Sequence, residues 1–194
     1  KSAETASDQN TVSADGNAVT IEEGSGTFTN ASYGGWSECS AAKVAAMYAQ
    51  ADKNVLTIAG GTFNDTLTGG RSSAVSTNAA TDSVARAQAS GNAITATSGT
   101  FKDVLVGGDA RVSTAAGNTY ADAKENVLRL SGGTYRDITG GAATATTTSS
   151  DPKISAYATD NRIYISGGTY DGTITAGAAV VGAGHTGAEV QDNL

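Results

Sequence analysis

The sequence predicts an all-β fold: a right-handed parallel β-solenoid, or β-helix, of about five coils with about 35 residues in each. Three observations predict it. An Asn recurs at Asn17, Asn54, Asn92, Asn126 and Asn161. A Gly-Thr-aromatic turn follows each, with aromatics at Phe28, Phe63, Phe101, Tyr135 and Tyr170, spaced 35, 38, 34 and 35 residues apart. A pair of small apolar residues precedes each Asn, and a further copy precedes Asn193.

Each element of the coil follows from its alternation. Two and four positions after the Asn come Val19/Ile21, Leu56/Ile58, Ile94/Ala96, Leu128/Leu130 and Ile163/Ile165, separated by residues such as Thr20, Thr57, Thr95 and Arg129. A two-residue period marks a strand with one buried face. The turn brings a Thr (Thr27, Thr62, Thr100, Thr134, Thr169) and a second strand, in which Phe63/Leu67 and Phe101/Leu105 share parity and face inward. Tyr135 and Ile138 stand one residue closer together, in a repeat one residue shorter. A Gly-Gly pair, read as a stop, ends this strand in four copies. A polar, Ala-rich stretch after it ("RSSAVST", "DARVST", "AATATTT") reads as a third strand, and a variable loop follows, as in 78–82.

The segment returning to the Asn carries Val12/Ala14, Ala49/Ala51, Ala87/Ala89, Ala121/Ala123, Ala156/Ala158 and Ala188/Val190, with mostly polar residues between. This is a fourth strand facing a narrow interior. Ser40–Ala51 alone has good helix propensity, but the other copies hold Ser, Thr, Gly and Asp and cannot follow it. The repeats are placed at about 17–53, 54–91, 92–125, 126–160 and 161–192, with 1–16 a partial preceding repeat, all in one domain.

Propeller blades are the rival for a strand-rich repeat, but they are usually longer than this one, and a closed ring needs equal numbers of every strand. Here the fourth strand occurs six times and the full first strand five. An open stack accommodates that. Stacked coils align equal positions into ladders, and the Asn ladder is expected to tie successive turns together by side-chain amide hydrogen bonds. Asp65, Asp103 and Asp137, with Asn30 at the equivalent place, suggest either a calcium site or turn-stabilising Asx contacts, the blander account.

Composition narrows the function. The net charge is −7, with five basic and nine acidic residues in 1–97 and seven and ten in 98–194. No basic stripe exists, so nucleic acid is not an expected partner. No run approaches the roughly 20 apolar residues of a membrane helix. No leader pattern is visible, and the chain opens at Lys1 as if already processed or excised. Cys39 is the only cysteine, so no internal disulfide forms; a buried thiol is the simplest reading, and an intermolecular crosslink or reactive thiol the other. The single His, His185, lies in a Gly-rich loop. Asn30-Ala-Ser and Asn64-Asp-Thr fit the glycosylation pattern, which carries weight only in a glycosylating host.

The segments "SGGTY" at 131–135 and 166–170, "AGGTF" at 59–63 and "SGTF" at 98–101 resemble the Gly-Gly-Thr-aromatic repeats of bacterial surface proteins, including autotransporter-type passenger regions and adhesin stalks. The resemblance spans nearly the whole chain. It implies a secreted or cell-surface bacterial β-helix that works in adhesion or as a structural spacer, with no catalytic residues. The membrane-anchoring barrel of autotransporters has no counterpart in this sequence.

Three functions follow for comparison. The expected one is a structural protein without cofactors, either a self-assembling filament subunit or a rod segment whose partners are its own copies or neighbouring repeats. Its expected assembly ends are Val12 and Ala14 on one side and Ala188, Val190, Asn193 and Leu194 on the other, where strand edges stay unpaired. The second is binding, as an adhesin or through a Thr-Val ice-binding array at Thr66/Thr68, Val104/Val106 and Thr173/Thr175. The third, a polysaccharide-active enzyme, needs clustered carboxylates in a groove, and the acidic residues here are scattered.

Overall fold

The computed structural model describes residues 9–42, 45–77, 83–149, 153–182 and 185–194. The loop expected at 78–82 and the start of the partial repeat, residues 1–8, lie outside them. All regular structure among the described residues is strand. The first coil holds β1 (Gln9–Ser13), β2 (Ala18–Ile21), β3 (Thr27–Phe28) and β4 (Ser32–Ala41). The second holds β5 (Ala46–Gln50), β6 (Val55–Ile58), β7 (Thr62–Phe63) and β8 (Leu67–Ser76). The third holds β9 (Val84–Gln88), β10 (Ala93–Ala96) and β11 (Thr100–Thr114), and the fourth β12 (Asn118–Lys124), β13 (Val127–Leu130) and β14 (Thr134–Thr147). The fifth holds β15 (Ile154–Thr159), β16 (Arg162–Ile165), β17 (Thr169–Tyr170) and β18 (Ile174–Val181), and β19 (Ala188–Gln191) opens another turn.

Equivalent strands pair in parallel from coil to coil, giving a β-solenoid of about five turns. The first sheet has order β1-β5-β9-β12-β15-β19 and the second β16-β13-β10-β6-β2. The third sheet carries the turn strands and long strands. Registers join equal repeat positions, such as Val12 with Ala49 and Ile94 with Leu128.

Two interiors result. Alanines of the first sheet meet the far half of the long strands in one cluster, including Ala49, Ala87, Ala121, Ala156, Ala74 and Ala145. Leu, Ile and aromatic residues of the second and third sheets fill the other, including Leu56, Ile94, Leu128, Phe101 and Tyr135. The expected inward parity therefore describes the middle coils, where Ala87, Ala121 and Leu128 are all at 0% exposure.

The Gly-Gly pair is not a stop. Strands β8, β11 and β14 run through it, so the second and third strands form one continuous strand. The pair is needed because backbone carbonyls and the Asn side chains lie against it: a Cβ on Gly69 would collide with Gly107 O, and one on Gly70 with Ala51 O. A Cβ on Gly70 would sit 2.5 Å from Asn92 Oδ1, and one on Gly108 2.6 Å from Asn126 Nδ2. Close approach of another group, rather than a turn, selects Gly at this position.

Candidate interface at the ends of the solenoid

The ladders explain why the coil edges carry so much pairing capacity. Asn54 Nδ2 and the Asn54 backbone N–H both donate to Asn92 Oδ1, at 2.9 and 3.0 Å. Asn92 repeats the pair with Asn126, at 3.0 Å each, and Asn126 with Asn161 at 2.9 and 3.2 Å. The second amide proton goes to a backbone carbonyl, Ala89 O for Asn126 and Ala123 O for Asn161. An amide supplies two donors and an acceptor with two lone pairs, and these positions use all of them. The residue before the Asn holds a left-handed conformation in all six copies: Gly16, Lys53, Gly91, Glu125, Asp160 and Asp192 have φ between 52° and 69°.

The aromatic ladder is a continuous stack. Phe28, Phe63, Phe101, Tyr135 and Tyr170 have ring centroids 4.7, 4.9, 4.7 and 5.1 Å apart with interplanar angles of 5–9°. Tyr enters without orphaning its hydroxyl, since Tyr135 Oη donates to Gly132 O at 2.5 Å and Tyr170 Oη to Gly167 O at 2.6 Å. Burial pushes both phenols up from their ordinary range. The turn threonines stand in register outside this stack; Thr27, Thr134 and Thr169 are exposed and Thr62 and Thr100 half-buried.

Both ladders break off at the ends. Asn17 donates to Asn54 Oδ1 at 2.7 Å but is itself exposed. Beside it the large-residue interior opens in a hollow of about 490 Å³ lined by Val19, Ile21, Phe28, Leu56 and Leu67 among others. At the opposite end Asn193 caps the ladder by accepting from Asn161 Nδ2 at 2.9 Å. Leu194 lies against β16, its N–H donating to Asn161 O at 2.9 Å and its carbonyl accepting from Ile163 N at 2.7 Å. Ile165, Ile174, Val190 and Leu194 are 44, 45, 54 and 72% exposed. Of the expected end residues, Val12 is buried, Ala14 half-buried, Ala188 exposed and Asn193 half-buried.

Edge donors are set by the bonding pattern of the first sheet. The N–H groups of Ala14, Ala51 and Ala89 donate to Gln50, Gln88 and Asp122 of the next coil, each at 2.9 Å. By the same pattern the Val190 N–H points along the axis beyond the last described strand. Unpaired donors of this kind invite another strand.

Other sequence candidates fall elsewhere. Cys39 is fully buried, and burial pushes its thiol up. Among the described residues no group of three His, Cys, Asp or Glu is placed to hold a metal ion. Of the Asp65, Asp103 and Asp137 carboxylates only Asp65 bonds locally, accepting from Thr66 N at 2.7 Å. Asp103 and Asp137 link successive coils, accepting from Thr66 Oγ1 at 2.9 Å and from Thr173 N at 2.8 Å. Asn30 and Asn64 are exposed and His185 half-buried. The expected Thr-Val array is not one continuous solvent face: Thr68 is 1% and Val106 7% exposed, both in the column of the bulky Tyr33 beside the Gly pair, while Thr66, Val104 and Thr175 are half-buried and Thr173 is exposed.

One constellation escaped the sequence reading. Residues directly after the Gly pairs, Trp36, Arg71 and Asp109, stand in one column, Trp36 exposed, Arg71 half-buried and Asp109 buried, with Tyr33 and Arg111 around them. Aligning "GGW", "GGR" and "GGD" would have placed them together. Comparison with family descriptions, curated proteins and solved structures finds no match.

Proposed function

We propose that this chain is a structural rod of the extracellular space or a bacterial cell surface, its open ends covered by further solenoid coils. The cover is a second copy stacked head to tail, giving a filament, or neighbouring repeats of a longer surface protein. The observation that carries this reading is the pair of ends left open among the described residues: each presents strand edges and apolar interior that stacking would bury. Head-to-tail contact is heterologous and does not close, so repetition gives a fibre. Backbone bonds would supply attachment, and matching Ala, Asn and aromatic columns would fix the register. The Gly-Gly-Thr-aromatic resemblance supports the location. A non-catalytic role is supported by the engagement of the Asp65, Asp103 and Asp137 carboxylates in hydrogen bonds within and between coils.

The test is negative-stain microscopy with sedimentation across a concentration series. The parent is expected to form rods that lengthen with concentration, and Val190→Pro, which removes an edge donor, to leave shorter particles. A parent that stays monomeric at high concentration rejects self-stacking. A tandem fusion of two copies that melts no higher than one copy then rejects covering by neighbouring coils as well.

A further inference from the structure

The net charge of the chain is concentrated in its end coils. Residues 43–152 hold nine basic and nine acidic residues and are neutral as a group. Residues 1–42 hold one basic residue and six acidic ones, and residues 153–194 two basic and four acidic. The end segments therefore carry −5 and −2, the whole of the net −7. In the middle coils opposite charges meet: Arg111 and Arg71 flank Asp109 at 2.8 and 3.8 Å, and Lys124 lies 3.2 Å from Asp122. The described part of the first coil, 9–42, holds no basic residue, and its Asp15, Glu22, Glu23 and Glu38 are exposed.

Stacking a second copy in the register of the coils would bring these charges together. Ser13 and Glu189 belong to one column, through Gln50, Gln88, Asp122 and Tyr157. At a joint between copies, Glu189 of one would therefore stand over Ser13 of the next, Gln191 over Asp15 and Asp192 over Gly16. Paired strands lie about 4.8 Å apart, so Asp15 would sit between Glu189 and Asp192, both exposed carboxylates. The basic residues that approach the joint are few. Arg162 would stand over Ala18, with Asp160 two residues before it, and Lys53 lies one coil behind Gly16, next to Asp52.

We infer that joining of two copies is controlled by ionic strength: like charge on the two ends holds copies apart at low salt, and screening lets them stack. The inference rests on the self-stacking reading and adds the condition under which it operates. Repulsion between exposed charges is removed by salt, whereas burial of Val19, Ile165 and Leu194 at the joint is not. The neutral middle coils give salt no comparable lever, so the response belongs to the ends.

Sedimentation velocity at about 10 mM and about 1 M NaCl tests this, since the screening length falls from about 30 Å to about 3 Å between them. The protein concentration at half-assembly is expected to be roughly tenfold lower at the higher salt. The double variant Asp15→Asn/Glu189→Gln should assemble at low salt at a concentration roughly threefold below that of the parent, with a flatter salt response. Asparagine at 15 keeps the Oδ1 that accepts from Asp52 N at 2.8 Å, so the variant should melt like the parent. Glu125→Gln, which removes an exposed charge from a middle coil, should leave the salt response unchanged. A parent that assembles equally at both salts overturns the inference and leaves self-stacking standing. A parent monomeric at both rejects self-stacking and the inference with it. An unaltered salt response in the double variant, or the same gain from Glu125→Gln, overturns the role of the end charges.

Discussion

The two halves of the interior follow the same repeat and are built from opposite materials. On one side of the Asn column, alanines such as Ala87, Ala121 and Ala143 bring two sheets close together. On the other, Leu, Ile and stacked rings hold the sheets apart. The Asn side chains, against the Gly pairs, stand between them as a polar wall with its hydrogen bonds satisfied within the stack. The contrast teaches that side-chain size sets the local spacing between sheets. An Ala-rich composition signals a thin layer here, not a deficient core. It also implies that the halves respond oppositely to a change in volume, and that the wall responds to neither volume change but to loss of a partner.

The wall gives the largest expected effect. Asn92→Ala removes the acceptor of two buried donors, the Asn54 N–H and Asn54 Nδ2. Leaving both unpaired should cost about 3–5 kcal/mol. Asn17→Ala removes a donor at the exposed end and should cost about 1 kcal/mol or less. Urea unfolding of monomeric protein checks this, and equal losses would contradict a wall whose strength comes from neighbours on both sides.

Next come the two interiors. Leu128→Ala should open a cavity in the large-residue half and cost about 2–5 kcal/mol. Ala121→Leu should overpack the thin half and cost about 1–3 kcal/mol. Melting temperatures of the two variants decide the matter. If Ala121→Leu melts like the parent, the thin half is not as closely packed as its alanines indicate.

How much of this was legible depends on how often a position repeats unchanged. The inward Ala pairs, the Asn and the aromatics recur with constant parity, so fold class and ladders could be read directly. Gly70 and Gly108 were misread as a strand end because Gly commonly weakens strands. Their role depends on an Ala carbonyl and the Asn amide that approach from another part of the coil, and no local pattern records that approach. The Trp36, Arg71 and Asp109 column was missed for the opposite reason: its position recurs but its residue changes in every coil. The ends, too, are invisible locally. Val19 has the same parity as Leu56, yet it is 37% exposed and Leu56 1%, because only one of them has coils on both sides.

The smallest expected effect concerns the turn that carries the wall. Asp52, two residues before Asn54, is buried and joins two coils: its Oδ1 accepts from Ser90 N at 2.7 Å and its Oδ2 from Gln88 Nε2 at 2.6 Å. Burial pushes its carboxyl above the usual carboxylate range, and nearby Asp15 pushes the same way, against the hydrogen bonds that lower it. The folded protein therefore holds the Asp52 proton more tightly than the unfolded chain. Its linkage contribution to stability is complete below the ordinary carboxylate pKa and is lost as pH rises through the raised folded value. Asp52→Asn cannot titrate, so the stability of the parent relative to this variant should fall as pH rises across that window and be constant above it. Denaturant midpoints of the two proteins at matched ionic strength measure the difference. A difference that grows with rising pH would mean that the Ser90 and Gln88 bonds outweigh burial, placing Asp52 among the anchors of the wall.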